Sequence, residues 1–498
     1  MLAWAPETLM LAAMLVPFAA ATFIPVFSEW KNLREGVTLI AALVLAIIVW
    51  SLLPTVLAGG RPEIAGFEIV AGLKVAFRLE PLGMLFALVA GTLWLVNSIY
   101  SIGYMRANNE PRQTQFYVCF AVAIAATMAL AFSANLFTLF LFYEVLTLVT
   151  YPLVTHKGSD DAKAAGRKYL LILMGTSMLL LLPAVIITYS VAGTLDFTPG
   201  GILDGKLNGA LMGGLLALFV YGIGKAAVMP VHYWLPAAMV APTPVSALLH
   251  AVAVVKAGVF TVVKVVVYIF GIETLTRTSD TTWFLAIASF TVIAASLVAL
   301  RQDNLKKRLA YSTISQLSYV VLATAILTPI SVIGAVIHIA GHAVAKITLF
   351  FAAGSIYTAA RKTEVSQLDG IGWKMPWTMT AFTIGALAMI GLPPTTGFLG
   401  KWFMLSGAME TQQWLPVGVI IASTVLNAAY FLPIVIRAFF AKPDHVSDVV
   451  NPELDHGEAP WLMVLALSVT AAATIGLFLF PEVLLALAEQ TVGAVSQP

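Results

Sequence analysis

The chain has 498 residues, of which 60% are hydrophobic and only 10% charged. Soluble proteins carry about 25% charged residues, so this chain cannot cover itself in water, and a soluble enzyme, a nucleic-acid binder and a disordered scaffold are excluded. Its 27 Lys and Arg against 25 Asp and Glu create no net attraction for phosphate or an acidic partner, and one cysteine, Cys119, excludes a disulfide framework or thiolate metal site.

An all-α polytopic membrane protein remains. A spanning helix needs about 20 apolar residues, because lipid offers the backbone no hydrogen-bond partner. Fourteen such runs are predicted, the first eight at 7–27, 36–57, 80–100, 116–133, 135–155, 168–192, 209–240 and 245–270. The other six are 283–300, 308–328, 330–358, 377–408, 414–438 and 460–482. The first run lacks a basic leader and a small-residue cleavage site, so it reads as span 1. Ser133-Ala134-Asn135 leaves room only for a tight turn between spans 4 and 5.

Seventeen Lys and Arg fall in odd-numbered loops, against five (Arg61, Lys74, Arg78, Lys206 and Arg277) in even-numbered loops and termini. That excess predicts cytoplasmic odd loops and both termini on the outer side. Five cations, Lys225, Lys256, Lys264, Lys346 and Lys401, have no loop to occupy. A charge at the bilayer centre costs at least ~2.5–3.5 kcal/mol, so each needs a reason to be there.

In chain order, Glu144 of span 5 is the one acid in the middle of a span. It reads either as a protonated group bonded to another helix or as the ion-pair partner of a lysine. Lys225 of span 7 is the expected partner, and moving the carboxylate would change whether the lysine keeps its proton. Span 7 reads Tyr221-Gly222-Ile223-Gly224-Lys225 before Pro230 and Pro236, and span 12 reads Gly391-Leu392-Pro393-Pro394-Thr395-Thr396-Gly397 before Lys401. Both predict a discontinuous helix with a lysine beside the break. Matching breaks five spans apart predict two inverted five-helix repeats. The domains are then 1–115 (spans 1–3), 116–270 (spans 4–8), 283–438 (spans 9–13) and 439–498 (a cytoplasmic loop and span 14). Span 10, the counterpart of span 5, offers Ser312, Ser315 and Gln316 but no acid.

Lys256 sits at the centre of span 8. His250, six residues earlier, falls about 120° away on a regular helix and reads equally as a structural histidine or a proton carrier. Lys264 lies nearer the end, where its stem can carry the ammonium to the interface. In span 11, His338, His342 and Lys346 recur at i, i+4 and i+8. No HExxH pattern accompanies them, so a proton-relaying wire is a better account than a zinc site. Lys401 reads as buried because it follows the break. The acidic loop from Asp444 to Glu458 reads as a solvated connection or a docking segment. No Walker, Rossmann, CxxC or haem-attachment pattern is present, so neither a cofactor nor a metal is expected.

At these residues the chain resembles the antiporter-like subunits shared by Mrp-type cation/proton antiporters and respiratory complex I. The resemblance covers about residues 80–440. It rests on Phe142–Leu146, Gly224–Ala227 with His232–Pro236, Pro242–His250 leading to Val255–Gly258, Leu305–Tyr319, the His338/His342/Lys346 helix and Gly391–Lys401. It implies fourteen helices with inverted repeats and a lateral proton path through Glu144, Lys225, Lys256, His338, His342, Lys346 and Lys401, gated by the Glu144–Lys225 pair, with His250 a possible relay. It also implies partner membrane subunits, protons and sodium or potassium as substrates, and no redox centre in the chain itself. The segment Asn32–Leu39 and Lys401 resemble the D-type antiporter protein, whereas Thr243–His250 resembles the A-type protein or the L-type protein of complex I. A redox-linked proton pump, a stand-alone transporter and a purely structural subunit are the alternatives.

Overall fold

The computed structural model describes residues 4–70, 72–442 and 457–493. Helices α1 (Pro6–Phe23), α2 (Lys31–Leu57), α3 (Pro81–Ala107), α4 (Gln113–Ala131) and α5 (Leu136–Val154) follow the first five apolar runs. The turn between α4 and α5 is as short as expected. Asn135 closes it, accepting from the Thr138 backbone N–H at 2.8 Å and donating its amide to the Lys74 carbonyl at 2.9 Å. Lys74 belongs to an antiparallel hairpin, β1 (Glu63–Val70) and β2 (Leu73–Arg78), which no 20-residue hydropathy window detects.

Span 6 is α6 (Asp160–Thr176) and α7 (Leu182–Ala192), joined by a wide π turn over Ser177–Leu181. Span 7 is α8 (Gly209–Gly222) followed by isolated 3-10 turns and the single turn α9 (Trp234–Ala237). Span 8 is α10 (Thr243–Ala247), a π turn at Leu248–Val252, α11 (Val254–Val265) and a second π turn. The short α12 (Ile272–Thr276) leads to α13 (Trp283–Arg301), α14 (Leu305–Ala325) and α15 (Pro329–Ala360). After the single turn α16 (Ile371–Lys374) come α17 (Pro376–Ile390), α18 (Thr396–Glu410), α19 (Trp414–Phe440), α20 (Trp461–Leu479) and α21 (Glu482–Thr491).

Among the described residues, 11 helical segments are long and apolar enough to cross a membrane, so the chain is a multi-pass membrane protein. The other three predicted runs fall on spans 7 and 12, which are broken, and on α14, which carries Lys306, Lys307, Arg308 and several hydroxyls. The protein encloses Thr243–Phe270 completely and Pro329–Ala360 almost completely, with α3, α14, α17, α18 and α20 packed around α15. These two enclosed segments carry His250, Lys256, Lys264, His338, His342 and Lys346. A span shielded from lipid on every side can hold polar groups that a lipid-facing span cannot.

Two expectations are corrected. Lys264 does not snorkel: it is wholly buried, 3.0 Å from Glu80 Oε2 and bonded to the Ser133 carbonyl at 2.8 Å. Glu80, the residue before α3, supplies a buried partner inside the protein. The acidic loop is not simply solvated at its end. Glu458 is buried, and its carboxylate accepts from the Trp377 and Thr378 backbone N–H groups at 2.8 and 3.2 Å and from the Thr378 hydroxyl at 2.5 Å. It thereby satisfies the free donors at the start of α17, where a negative charge also meets the helix dipole. Residues 444–456 of that loop lie outside the described residues.

Replacing Glu458 by Ala removes this cap from outside the helix. We expect a loss of about 1–2 kcal/mol, read as a lower apparent Tm of the detergent-purified protein, with Glu458→Gln losing less. An unchanged Tm in Glu458→Ala would show that α17 starts without it.

Candidate functional site

The first break begins where α8 stops at Gly222. One 3-10 turn follows at Gly224–Ala226, and Ala227 adopts a left-handed φ of 56°. The side chain of Lys225, in that turn, is wholly buried. Its Nζ donates to the Tyr143 carbonyl at 2.7 Å and the Thr147 hydroxyl at 2.6 Å, and lies 3.1 Å from the Tyr143 ring centroid. The Lys225 backbone N–H donates to the Tyr143 hydroxyl at 3.1 Å. A helix carbonyl has a second lone pair free for such a bond, so α5 receives the ammonium without losing its own ladder.

Lys225 therefore makes no contact ion pair with Glu144, contrary to expectation. Tyr143 and Thr147, four residues apart, present one stripe of α5, and Glu144 is turned about 100° from Tyr143 around that helix. Its carboxyl is buried, and neither oxygen meets a donor in hydrogen-bond geometry. Ser177, in the π turn of span 6, stands beside it, but its hydroxyl donates to the Met174 carbonyl at 3.2 Å.

Span 8 reaches the break through Gly258. A Cβ there would stand 2.3 Å from the Ala226 nitrogen and 2.4 Å from the Lys225 carbonyl carbon, so only glycine permits this approach. Two residues earlier Lys256 projects toward α15, with Nζ 2.5 Å from His342 Nδ1. The His342 ring stacks on His338 at 5.9 Å between centroids, and His338 lies 5.8 Å from the Tyr319 ring. His250 also faces α15, 4.8 Å from the Phe350 ring. The expected 120° separation of His250 and Lys256 assumed a regular helix. The π turn containing His250 and the non-helical Ala253 (φ −121°, ψ −69°) rotate both side chains toward one partner helix.

The second break follows α17. Gly391 takes a φ of 90°, and a Cβ there would lie 2.7 Å from Lys401 Cδ. The freed end of α17 supplies acceptors: Lys401 Nζ donates to the Ile390 carbonyl at 2.7 Å, the Met389 carbonyl at 3.2 Å and the Thr424 hydroxyl at 3.2 Å. The Met389 carbonyl also accepts from Gln316 and Asn427, both at 3.2 Å. Asn427 is bonded to the Tyr430 hydroxyl, which donates to Ser312 at 3.1 Å, and Ser312 accepts Lys346 Nζ at 2.8 Å. Lys346 and Lys401 are thus ends of one hydrogen-bonded chain.

The expected residues accordingly form three groups. Lys225 sits near Glu144 but not on it; His250, Lys256, His338 and His342 meet along α15; and Lys346 and Lys401 join through α14, α17 and α19. The partners Tyr143, Thr147, Tyr319, Thr424, Asn427 and Tyr430 were not singled out from sequence. Asn427, an amide inside the apolar run of span 13, carried a readable signal; the hydroxyls and carbonyls did not. Among the described residues no three His, Cys, Asp or Glu side chains converge as metal ligands. Both nitrogens of His250 and of His338, His342 Nε2 and Gln316 Oε1 are buried without a protein partner. Buried polar atoms of this kind are where bridging water belongs. The row sets one carboxyl, Glu144, against four buried amines, Lys225, Lys256, Lys346 and Lys401, an arrangement suited to passing a proton between groups rather than holding four charges at once.

The transmembrane family described as NADH:quinone oxidoreductase/Mrp antiporter matches residues 133–427. The N-type subunit of the NADH-quinone oxidoreductase of Desulforudis audaxviator is 33% identical over 413 residues, 81% of each chain. The D-type subunit of the Na(+)/H(+) antiporter of Alkalihalophilus pseudofirmus is 26% identical over 473 residues, 93% of each. A chain of the Mrp complex from Dietzia sp. superposes with a TM-score of 0.83 at 20% identity, covering 99% of this chain and 98% of that one.

The contact at Gly258 gives a direct test of the geometry. Gly258→Ala should push α11 from the Lys225 turn, costing about 1–3 kcal/mol and lowering the apparent Tm. Gly175→Ala, at a site with nothing within 4 Å, serves as the control. Equal Tm values for the two variants would contradict the close approach.

Proposed function

The chain belongs to the NADH:quinone oxidoreductase/Mrp antiporter transmembrane family, and on that premise we propose that it is the proton-translocating, D-like subunit of a multisubunit Na+(K+)/H+ antiporter. Protons move along the mid-membrane row from Glu144 and Lys225 through Lys256, His342 and His338 to Lys346 and Lys401. The observation that carries this reading is the 2.5 Å contact between Lys256 and His342. Lys256 lies in the segment 116–270 and His342 in 283–438, so the bond joins the two proposed inverted repeats. Both breaks offer their lysine the same chemistry, backbone carbonyl plus threonine hydroxyl, which supports the repeat relationship.

In the present arrangement Lys225 is held by neutral oxygens while the Glu144 carboxyl stands free. Rotation that brings the two side chains together would form the ion pair, and the proton on Lys225 would then be retained. Breaking the pair releases it toward Lys256. Orientation follows from the loop cations: cytoplasmic odd loops, both termini outside, in a bacterial-type inner membrane. Glu35 is ion-paired with both Arg34 and Arg106, which supports a common side for loops 1 and 3.

A second reading, a proton-pumping membrane subunit of a redox complex, is favoured by the higher identity to the quinone oxidoreductase subunit. Purification with neighbouring subunits separates the two: co-isolated nucleotide- or quinone-binding subunits support the pump, and their absence from an active exchanger supports the antiporter.

We expect Glu144→Ala and Lys225→Ala each to abolish ion exchange in membrane vesicles while the complex still assembles. Wild-type exchange in both variants would refute the relay.

A further inference from the structure

Lys264 and Glu80 form a buried ion pair that the row described above does not use. We propose that this pair is the outer-side gate through which the protons of the row reach the outer aqueous phase; the proposal rests on the relay reading.

Lys256, Phe260 and Lys264 lie on one i, i+4, i+8 ridge of α11, so about 12 Å along the helix separates the central lysine from the pair. Phe260 fills the interval, packed against Phe86 with ring centroids 5.0 Å apart, and Lys264 Nζ lies 5.5 Å from the Phe260 ring. On the far side the pair borders a cavity of about 450 Å³ lined by Arg61, Arg78, Glu80, Tyr268 and Gln490, among others. Its lining comes from even-numbered loops, the end of span 8 and the C-terminal helix, all on the side that the loop cations assign to the outside.

The two oxygens of Glu80 are used differently. Oε1 accepts from Arg78 at 3.1 and 2.8 Å, while Oε2 faces Lys264 at 3.0 Å. The other charged or titratable groups facing the cavity are engaged elsewhere: Arg61 with Gln490 at 2.9 Å and Tyr268 with the Thr491 carbonyl at 3.1 Å. Glu80 is thus the carboxylate that touches both the buried lysine and the cavity, beside the Phe197 ring, which lies 4.2 Å from Lys264 Nζ. A proton leaves Lys264 Nζ for Glu80 Oε2, giving an amine and a neutral carboxyl. The carboxyl then loses the proton to cavity water, and the amine takes another from Lys256 through water admitted when Phe260 turns aside.

The test uses the intact complex in membrane vesicles. Glu80→Gln combined with Lys264→Met replaces the pair by groups that need no charge partner. We expect an assembled complex whose exchange rate falls by roughly 100-fold. Exchange at the wild-type rate would overturn the gate. Glu80→Asp keeps the charge with a shorter reach, so it should retain exchange with a displaced dependence on outer pH. If the double variant does not assemble, Glu80→Asp decides, and an unchanged rate and outer-pH profile overturns the gate. Lys225→Ala run in parallel separates the two readings. Normal exchange there sinks the relay itself, whereas a dead Lys225→Ala beside a normal double variant sinks only the gate.

Discussion

An ammonium group at the depth of a bilayer must find its hydrogen-bond acceptors inside the protein, and the architecture of this chain follows from that requirement. Water would serve the purpose at a surface, and lipid offers nothing. Lys225, Lys264 and Lys401 each take at least one backbone carbonyl as acceptor. Lys346 is held by a hydroxyl and Lys256 by an imidazole nitrogen. All five are buried within the protein.

The helix breaks are the structural answer to the same requirement. A continuous helix spends its carbonyls on its own ladder, and interrupting it frees several at once. At the second break Gly391 turns the chain through a left-handed conformation, and the released Met389 and Ile390 carbonyls meet Lys401. At the first break the interruption brings the lysine itself to the intact carbonyl of Tyr143 on α5. Gly258 then lets span 8 close against that turn, so one glycine couples the position of Lys225 to that of Lys256. Enclosure by α3, α14, α17, α18 and α20 keeps the α15 stripe out of lipid. The unpartnered nitrogens of His250 and His338 are therefore available to water and not to acyl chains.

Much of this was legible in the chain. Fourteen apolar runs coincide with helices or broken helices because lipid imposes length and composition so strictly. The two discontinuities were readable from Gly and Pro, whose backbone effects are local. The i, i+4, i+8 spacing of His338, His342 and Lys346 put them on one face because α15 is regular throughout. Where span 8 departs from regularity, the same arithmetic misplaced His250 relative to Lys256. The β-hairpin escaped notice because a search tuned to 20-residue apolar runs ignores a 16-residue alternating loop (63–78).

The sequence by itself determined the membrane class, the places where the backbone must break and which ionisable side chains have no aqueous environment, because hydrophobicity and backbone stereochemistry act over a few residues. The tertiary structure alone decided which groups meet. It put Lys225 on the Tyr143 carbonyl instead of Glu144, Lys264 on Glu80 instead of the interface, Lys256 on His342, and Glu458 at the start of α17. Those pairings are set by helix rotation and by π turns, which shift a side chain by a fraction of a turn. Residue type and spacing carry no information about that rotation until the neighbouring helices are packed.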